Sequence, residues 1–122
     1  MEKFNDKRVL ITGGASGIGR IMGALALEKG AAALVIWDIN QANIDNTLSE
    51  LSTKGKVFGY RVDISDEQAV IAAAQRVKTE VGEVDILINC AGIITGNKTF
   101  DKCSSEDINR TLSINTVAPM VV

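Results

Sequence analysis

Gly13, Gly17 and Gly19 fall within seven residues, directly after the aliphatic run Val9-Leu-Ile-Thr12. Glycine at such positions lets a backbone turn sharply and approach a ligand with no Cβ in between. Apolar residues then recur at Ile18, Met22, Leu25 and Ala26, which is helical spacing. A strand, a Gly-rich turn and a helix start make a site for anions, because the first turn of a helix offers unpaired N–H groups and a positive dipole end. Asp38 closes the next apolar run, Ala33 to Trp37. It lies about 20 residues beyond Gly19, where a dinucleotide fold places the carboxylate that accepts from ribose hydroxyls. The competing reading is structural, with the glycines a plain loop and Asp38 only the start of a turn. Strand, turn, helix and acid in this order favour the chemical reading.

A second acid, Asp63, follows another strand-like run, at the strand end where ligand crevices form in α/β sheets. Its structural alternative is a cap on the next helix. Ser65-Asp-Glu-Gln68 supplies that cap as a capping box, Ser65 accepting from the N–H of Gln68. Asn115 and Pro119 stand four apart in the last helical pattern. Proline lacks the N–H that would reach the Asn115 carbonyl, so a bend is expected there, with that carbonyl left free for water. A kink with a purely structural role is the alternative. Cys90 and Cys103 show no metal-ligand spacing, the chain has no histidine, and both thiols are expected to be free.

The elements that position these residues alternate regularly. Strands are expected at Val9–Thr12, Leu34–Trp37, Val57–Val62 and Ile86–Asn89. The first helix runs from Gly17 to Lys29, with Gly30 as a left-handed stop. Asn40 caps a second helix bearing Ile44, Leu48 and Leu51, which Gly55 ends. A third helix carries Val70, Ala73, Ala74, Val77 and Val81 and closes at Gly82. Ser104 or Ser105 caps a last helix through Ile108, Leu112 and Asn115. Such alternation implies an α/β fold with a doubly wound parallel sheet. The chain is expected to stop after the fourth strand and the start of the following long helix, leaving the fourth strand as an open edge. Polar and small residues interleaved in the third strand suggest partial exposure there.

A length of 122 residues fits one domain, residues 1–122. Its 46% hydrophobic and 23% charged residues suit an ordinary globular domain. A net charge of −2 argues against nucleic acid or an anionic membrane as the main partner. No apolar run is long enough to span a bilayer, and Met1 to Arg8 lacks a signal-peptide core, so a cytoplasmic location is expected.

Thr12-Gly13-x-x-x-Gly17-x-Gly19 resembles the cofactor signature of the short-chain dehydrogenases/reductases. Asp63-Ile64, Asn89-Cys90-Ala91-Gly92 and Asn115 match later landmarks of that family in the right order. The resemblance covers nearly the whole chain and implies a Rossmann-type fold, NAD as cofactor, a small alcohol or ketone substrate, and a parent that forms homo-oligomers. It implies that Gly13, Ser16, Gly17, Ile18 and Gly19 form the pyrophosphate turn and that Asp38 and Ile39 face the adenosine ribose. Ser16 and Ile39 stand where NADP-preferring members carry Lys or Arg, and both are uncharged. Asp63 and Ile64 would meet adenine, while Asn89, Ala91 and Gly92 would make room for ribose and nicotinamide. Asn115 would hold a water relay, the single catalytic position present, with Pro119 exposing its carbonyl. The family's serine and Tyr-x-x-x-Lys pair would lie beyond Val122, and Tyr60 and Lys54 do not form that pair. The run Val35-Ile-Trp-Asp-Ile-Asn40 is similar to the subgroup acting on steroid and retinoid alcohols. Two further readings stand beside the oxidoreductase: a nucleotide-binding chain without catalysis, and an epimerase or dehydratase on the same fold. The short glycine spacing disfavours the latter.

Overall fold

A computed structural model describes residues 4–90 and the backbone course of residues 116–119. Ala91, Gly92, Phe100, Cys103, Ser104, Ser105 and Asn115 lie outside the described residues. The elements in order are β1 (Arg8–Thr12), α1 (Gly17–Glu28), β2 (Ala33–Asp38), α2 (Gln41–Leu51), β3 (Val57–Arg61), α3 (Glu67–Glu80), β4 (Ile86–Asn89) and β5 (Thr116–Pro119).

The five strands form one sheet in the order β3-β2-β1-β4-β5. Every pairing is parallel, with Thr12 opposite both Trp37 of β2 and Asn89 of β4. The chain therefore reverses its direction of travel across the sheet between β1 and β4. The carboxyl ends of those two strands flank the switch point, where open α/β sheets form their ligand crevice.

Alternate strand residues enter two separate cores, as the two-residue period of a strand requires. Leu10, Val35, Trp37, Tyr60 and Leu87 pack with Val70, Ala73, Ala74 and Val77 of α3. Val9, Ile11, Leu34, Ile36, Ile86 and Ile88 pack with Ala26 and Leu27 of α1 and Ile44 and Leu51 of α2. Both faces of β1, β2 and β4 are thus covered, which explains their nearly unbroken apolar runs. Each fully buried Leu or Ile contributes about 1.5–3 kcal/mol of transfer free energy. β3, an edge strand, is only half-buried along most of its length, as its interleaved sequence suggests.

The helix ends follow local chemistry. Gly30 stops α1 in the left-handed region at φ 93°. There the N–H of Ala31 donates to the Ala26 carbonyl and that of Gly30 to the Leu27 carbonyl, a Schellman pairing. The Asn40 side chain caps α2 by accepting from the Asn43 N–H at 2.9 Å. The cap of α3 is Asp66, which accepts from the Ala69 N–H at 3.2 Å, and not Ser65. Ser65 is drawn away by Asp63, whose Oδ1 accepts from both the Ser65 N–H and its hydroxyl. That local turn moves the helix start one residue along the chain.

The end of the chain corrects a second expectation. Thr116–Pro119 is a strand beside β4, with Asn89 opposite Pro119, and not part of a helix running through Asn115. The fourth strand is therefore paired on both sides. An extended segment also suits Pro119, which cannot donate to a helical ladder and is tolerated in a strand at a sheet edge. Pro119 lies in a strand, so it makes no helical bend that would support a water relay.

Candidate cofactor site

The carboxyl end of β1 runs straight into the Gly-rich turn. The N–H groups of Gly13 and Gly14 donate to the Trp37 carbonyl at 2.7 and 3.3 Å, which draws the turn over the end of β2. Gly17 has φ 56°, in the left-handed region that side chains avoid, and an added Cβ would meet nothing within 4 Å. The space beside it is open. At Gly19 the reason for glycine is contact, because a Cβ would lie 2.1 Å from the Gly13 carbonyl oxygen. The turn can pack on α1 only without that atom.

The start of α1 is arranged for an anion. Ser16 occupies the cap position in an extended conformation, yet its side chain makes no capping bond. The first turn of α1 contains no acidic residue. The backbone donors of the first turn are consequently neither capped by the Ser16 side chain nor paired with an acidic residue of that turn, and the positive end of the helix faces solvent. Gly17 and Ile18 share this exposed face with Ser16.

Asp38, at the end of β2, is tied to this turn. Its Oδ2 accepts from the Ala15 N–H and its Oδ1 from the Asn40 N–H, both at 3.1 Å. A carboxylate oxygen has two acceptor positions, so each oxygen keeps one for a ligand hydroxyl. Ile39 follows, 58% exposed. Arg61, in register with Asp38, donates through Nε to the Ile39 carbonyl at 3.3 Å. The sequence had marked Asp38 and Ile39 but not Arg61.

Asp63 lies exposed just past β3, after Val62, whose N–H donates to the Asp38 carbonyl at 2.9 Å. The Ser65 hydroxyl and then its N–H lower the Asp63 carboxyl from its ordinary value, opposed by some desolvation, with Arg61 adding a lesser lowering. Asp63 is therefore an ionised acceptor at neutral pH. Ile64 is partly buried against the α3-side core.

At the switch point Thr12 joins β1 to β4. Its hydroxyl donates to Asn89 Oδ1 at 3.4 Å and accepts from the Cys90 N–H at 3.1 Å. Thr12 and Asn89 are both buried, so this is a fixed join between the two strand ends. Cys90 is half-buried, and burial pushes its thiol pKa up. It remains a protonated packing residue at neutral pH, as a small apolar side chain would.

Tyr60 is engaged with α3. Its hydroxyl donates to Glu80 at 2.7 Å, the Arg76 guanidinium sits 4.9 Å from its ring centroid, and Arg76 pairs with Glu80. Burial and the Glu80 bond push its pKa up to about 12. A phenol so held is a structural donor. Among the described residues no group of His, Cys, Asp and Glu could hold a metal ion.

One buried polar side chain escaped the sequence reading. Thr47 of α2 is fully buried, and its hydroxyl donates to the Ala15 carbonyl at 3.1 Å. The available signal was its place between Ile44 and Leu51 on the inward face of the helix, where a polar residue needs a partner.

A parallel sheet with an uncapped, Gly-rich helix start at its switch point and an acid at the end of the neighbouring strand defines a Rossmann-type fold. Residues 7–122 match the family described as short chain dehydrogenase, and the chain belongs to that family of nicotinamide-dependent oxidoreductases. It is 41% identical over 109 residues to the human (Homo sapiens) epidermal retinol dehydrogenase 2, covering 88% of this chain and 35% of that protein. The chain thus spans about a third of the length of that relative. Among solved structures, NAD+-bound xylitol dehydrogenase superposes with a TM-score of 0.83 at 22% identity, covering 96% of this chain and 53% of the other. L-Sorbose reductase from Gluconobacter frateurii, complexed with NADPH and L-sorbose, gives a TM-score of 0.80 at 24% identity over 89% of this chain and 47% of the other. Those two likenesses establish the fold. No helix among the described residues is long and apolar enough to cross a membrane.

Proposed function

We propose that residues 1–122 form the dinucleotide-binding domain of an NAD-dependent oxidoreductase that moves hydride to or from a secondary alcohol or ketone. The observation that carries the choice of cofactor is the Asp38 carboxylate, fixed at the turn by Ala15 and Asn40, with uncharged Ile39 next to it in sequence and uncharged Ser16 in the turn itself. An acid there accepts from the free ribose hydroxyls of NAD and repels the 2′-phosphate of NADP.

In this reading Gly13, Ser16, Gly17, Ile18 and Gly19 hold the pyrophosphate, and Asp38 and Ile39 hold the ribose. Asp63 accepts from the adenine amino group beside Ile64, and Asn89, Ala91 and Gly92 border the nicotinamide half. NAD, when bound, supplies the hydride acceptor, and the protein orients it and handles the proton. Asn115 is the family position for a water relay. The similarity to an epidermal retinol dehydrogenase, together with the run Val35 to Asn40, supports an apolar alcohol of retinoid or steroid kind as substrate. A cytoplasmic location and a homo-oligomeric parent belong to the same proposal.

A second reading, a nucleotide-binding chain without catalysis, is favoured for these 122 residues alone by the state of Tyr60. It is their single tyrosine, and it is committed to Glu80. Titration calorimetry tests the cofactor assignment. NAD should bind at least about tenfold tighter than NADP, a difference of about 1.4 kcal/mol. Equal or tighter binding of NADP would overturn it.

A further inference from the structure

Ala15 is held from both sides. Its N–H donates to Asp38 Oδ2 at 3.1 Å, and its carbonyl accepts from the Thr47 hydroxyl at 3.1 Å. Ala15 is 1% exposed and Thr47 is fully buried, so water does not substitute easily for either partner. A trans peptide is planar, with its C=O and N–H pointing in opposite directions. Fixing the Ala15 carbonyl toward α2 therefore fixes the Ser16 N–H in the opposite direction within the same plane. From there the exposed run Ser16-Gly17-Ile18 leads into α1. Gly17, with its left-handed backbone and open surroundings, gives this run little stiffness of its own.

We infer that Thr47 is a positioning residue for the phosphate turn: through the Ala15 carbonyl it sets the aim of the backbone donors at Ser16–Ile18. α2 is thereby coupled to both the ribose and the phosphates of the cofactor's adenosine diphosphate moiety. Its cap region follows Asp38 on the ribose side, and its buried Thr47 holds the turn on the phosphate side. Removing the hydroxyl leaves a buried carbonyl unpaired and releases the peptide plane. The loss should then appear in binding that needs the phosphates and not in binding that needs only the nucleoside. This inference deepens the cofactor-site reading and rests on it.

The test is a set of amide-shift titrations of the 122-residue chain with ADP and with adenosine, for the wild type, Thr47→Val and Thr47→Ser. Thr47→Val should weaken ADP about tenfold, as expected for one buried hydrogen bond of about 1.4 kcal/mol. Adenosine should change less than twofold, and Thr47→Ser should hold ADP within threefold of wild type. Should Thr47→Val fail to fold, Thr47→Cys takes its place, with its weak S–H donor and an intermediate loss on ADP alone. Equal losses for ADP and adenosine, or no loss for ADP, would overturn the inference while leaving the site intact. A wild-type chain that binds neither ligand would overturn the site and the inference together.

Discussion

The Asp38 carboxylate reaches from the end of β2 to the turn after β1, where its Oδ2 accepts from the Ala15 N–H at 3.1 Å. One side chain thus joins the two parts of the chain that would hold ribose and pyrophosphate. It also serves the fold, since its other oxygen accepts from Asn40, the residue that caps α2.

This double use shapes the outcome of a specificity change. Asp38→Ala with Ile39→Arg should move preference from NAD to NADP. It should also destabilise the chain by about 1–3 kcal/mol, because two backbone donors lose their acceptor. Calorimetry gives the preference and a thermal melt the stability. A shift in preference without any loss of stability would show that the bonds to Ala15 and Asn40 contribute nothing.

The glycines of the turn should separate by mechanism. Gly17→Ala has room for its methyl group and carries only the cost of a left-handed backbone, about 1–2 kcal/mol. Gly19→Ala drives a Cβ against the Gly13 carbonyl, where backbone must move. Gly19→Ala should therefore melt below Gly17→Ala, and the reverse order in paired melts would contradict the packing described here.

Tyr60 predicts an alkaline limb. Its pKa is raised from 10.0 to about 12 in the folded chain, so the folded state retains the proton more strongly than the unfolded one. Its contribution is complete below pH 10 and is lost as pH rises toward 12. The stability difference between wild type and Tyr60→Phe should thus shrink across that window in denaturant titrations. A difference independent of pH would contradict the raised pKa that burial and, after it, the Glu80 bond give this phenol.

The same residue bears on catalysis. The 122-residue chain should oxidise no secondary alcohol with NAD, because Tyr60 is its single tyrosine and is bound to Glu80. Turnover abolished by Tyr60→Phe, followed by NADH absorbance, would reverse that conclusion.

Much of this architecture was legible in the residues, and the misses have physical causes. Val9–Thr12, the glycine spacing and Asp38 are local signals, and so are Asn40 and Gly30 at helix ends. Ser65 and Asp66 are adjacent cap-formers, and the choice between them was made by Asp63, which engages Ser65 first. Thr116–Pro119 takes its extended form beside β4, whose partner residues lie far back in the sequence, and such non-local pairing leaves no local mark. Thr47 looks like a neutral helix residue until the fold brings Ala15 against it.

In the proposed site the turn after β1 and the end of β2 hold NAD together. Amide chemical shifts of the 122-residue chain during an NAD titration test it most directly. Saturable shifts at Ala15, Gly17, Gly19 and Asn40 with one shared dissociation constant are expected. Saturable shifts confined to α3 and β3, or none at all, would contradict it.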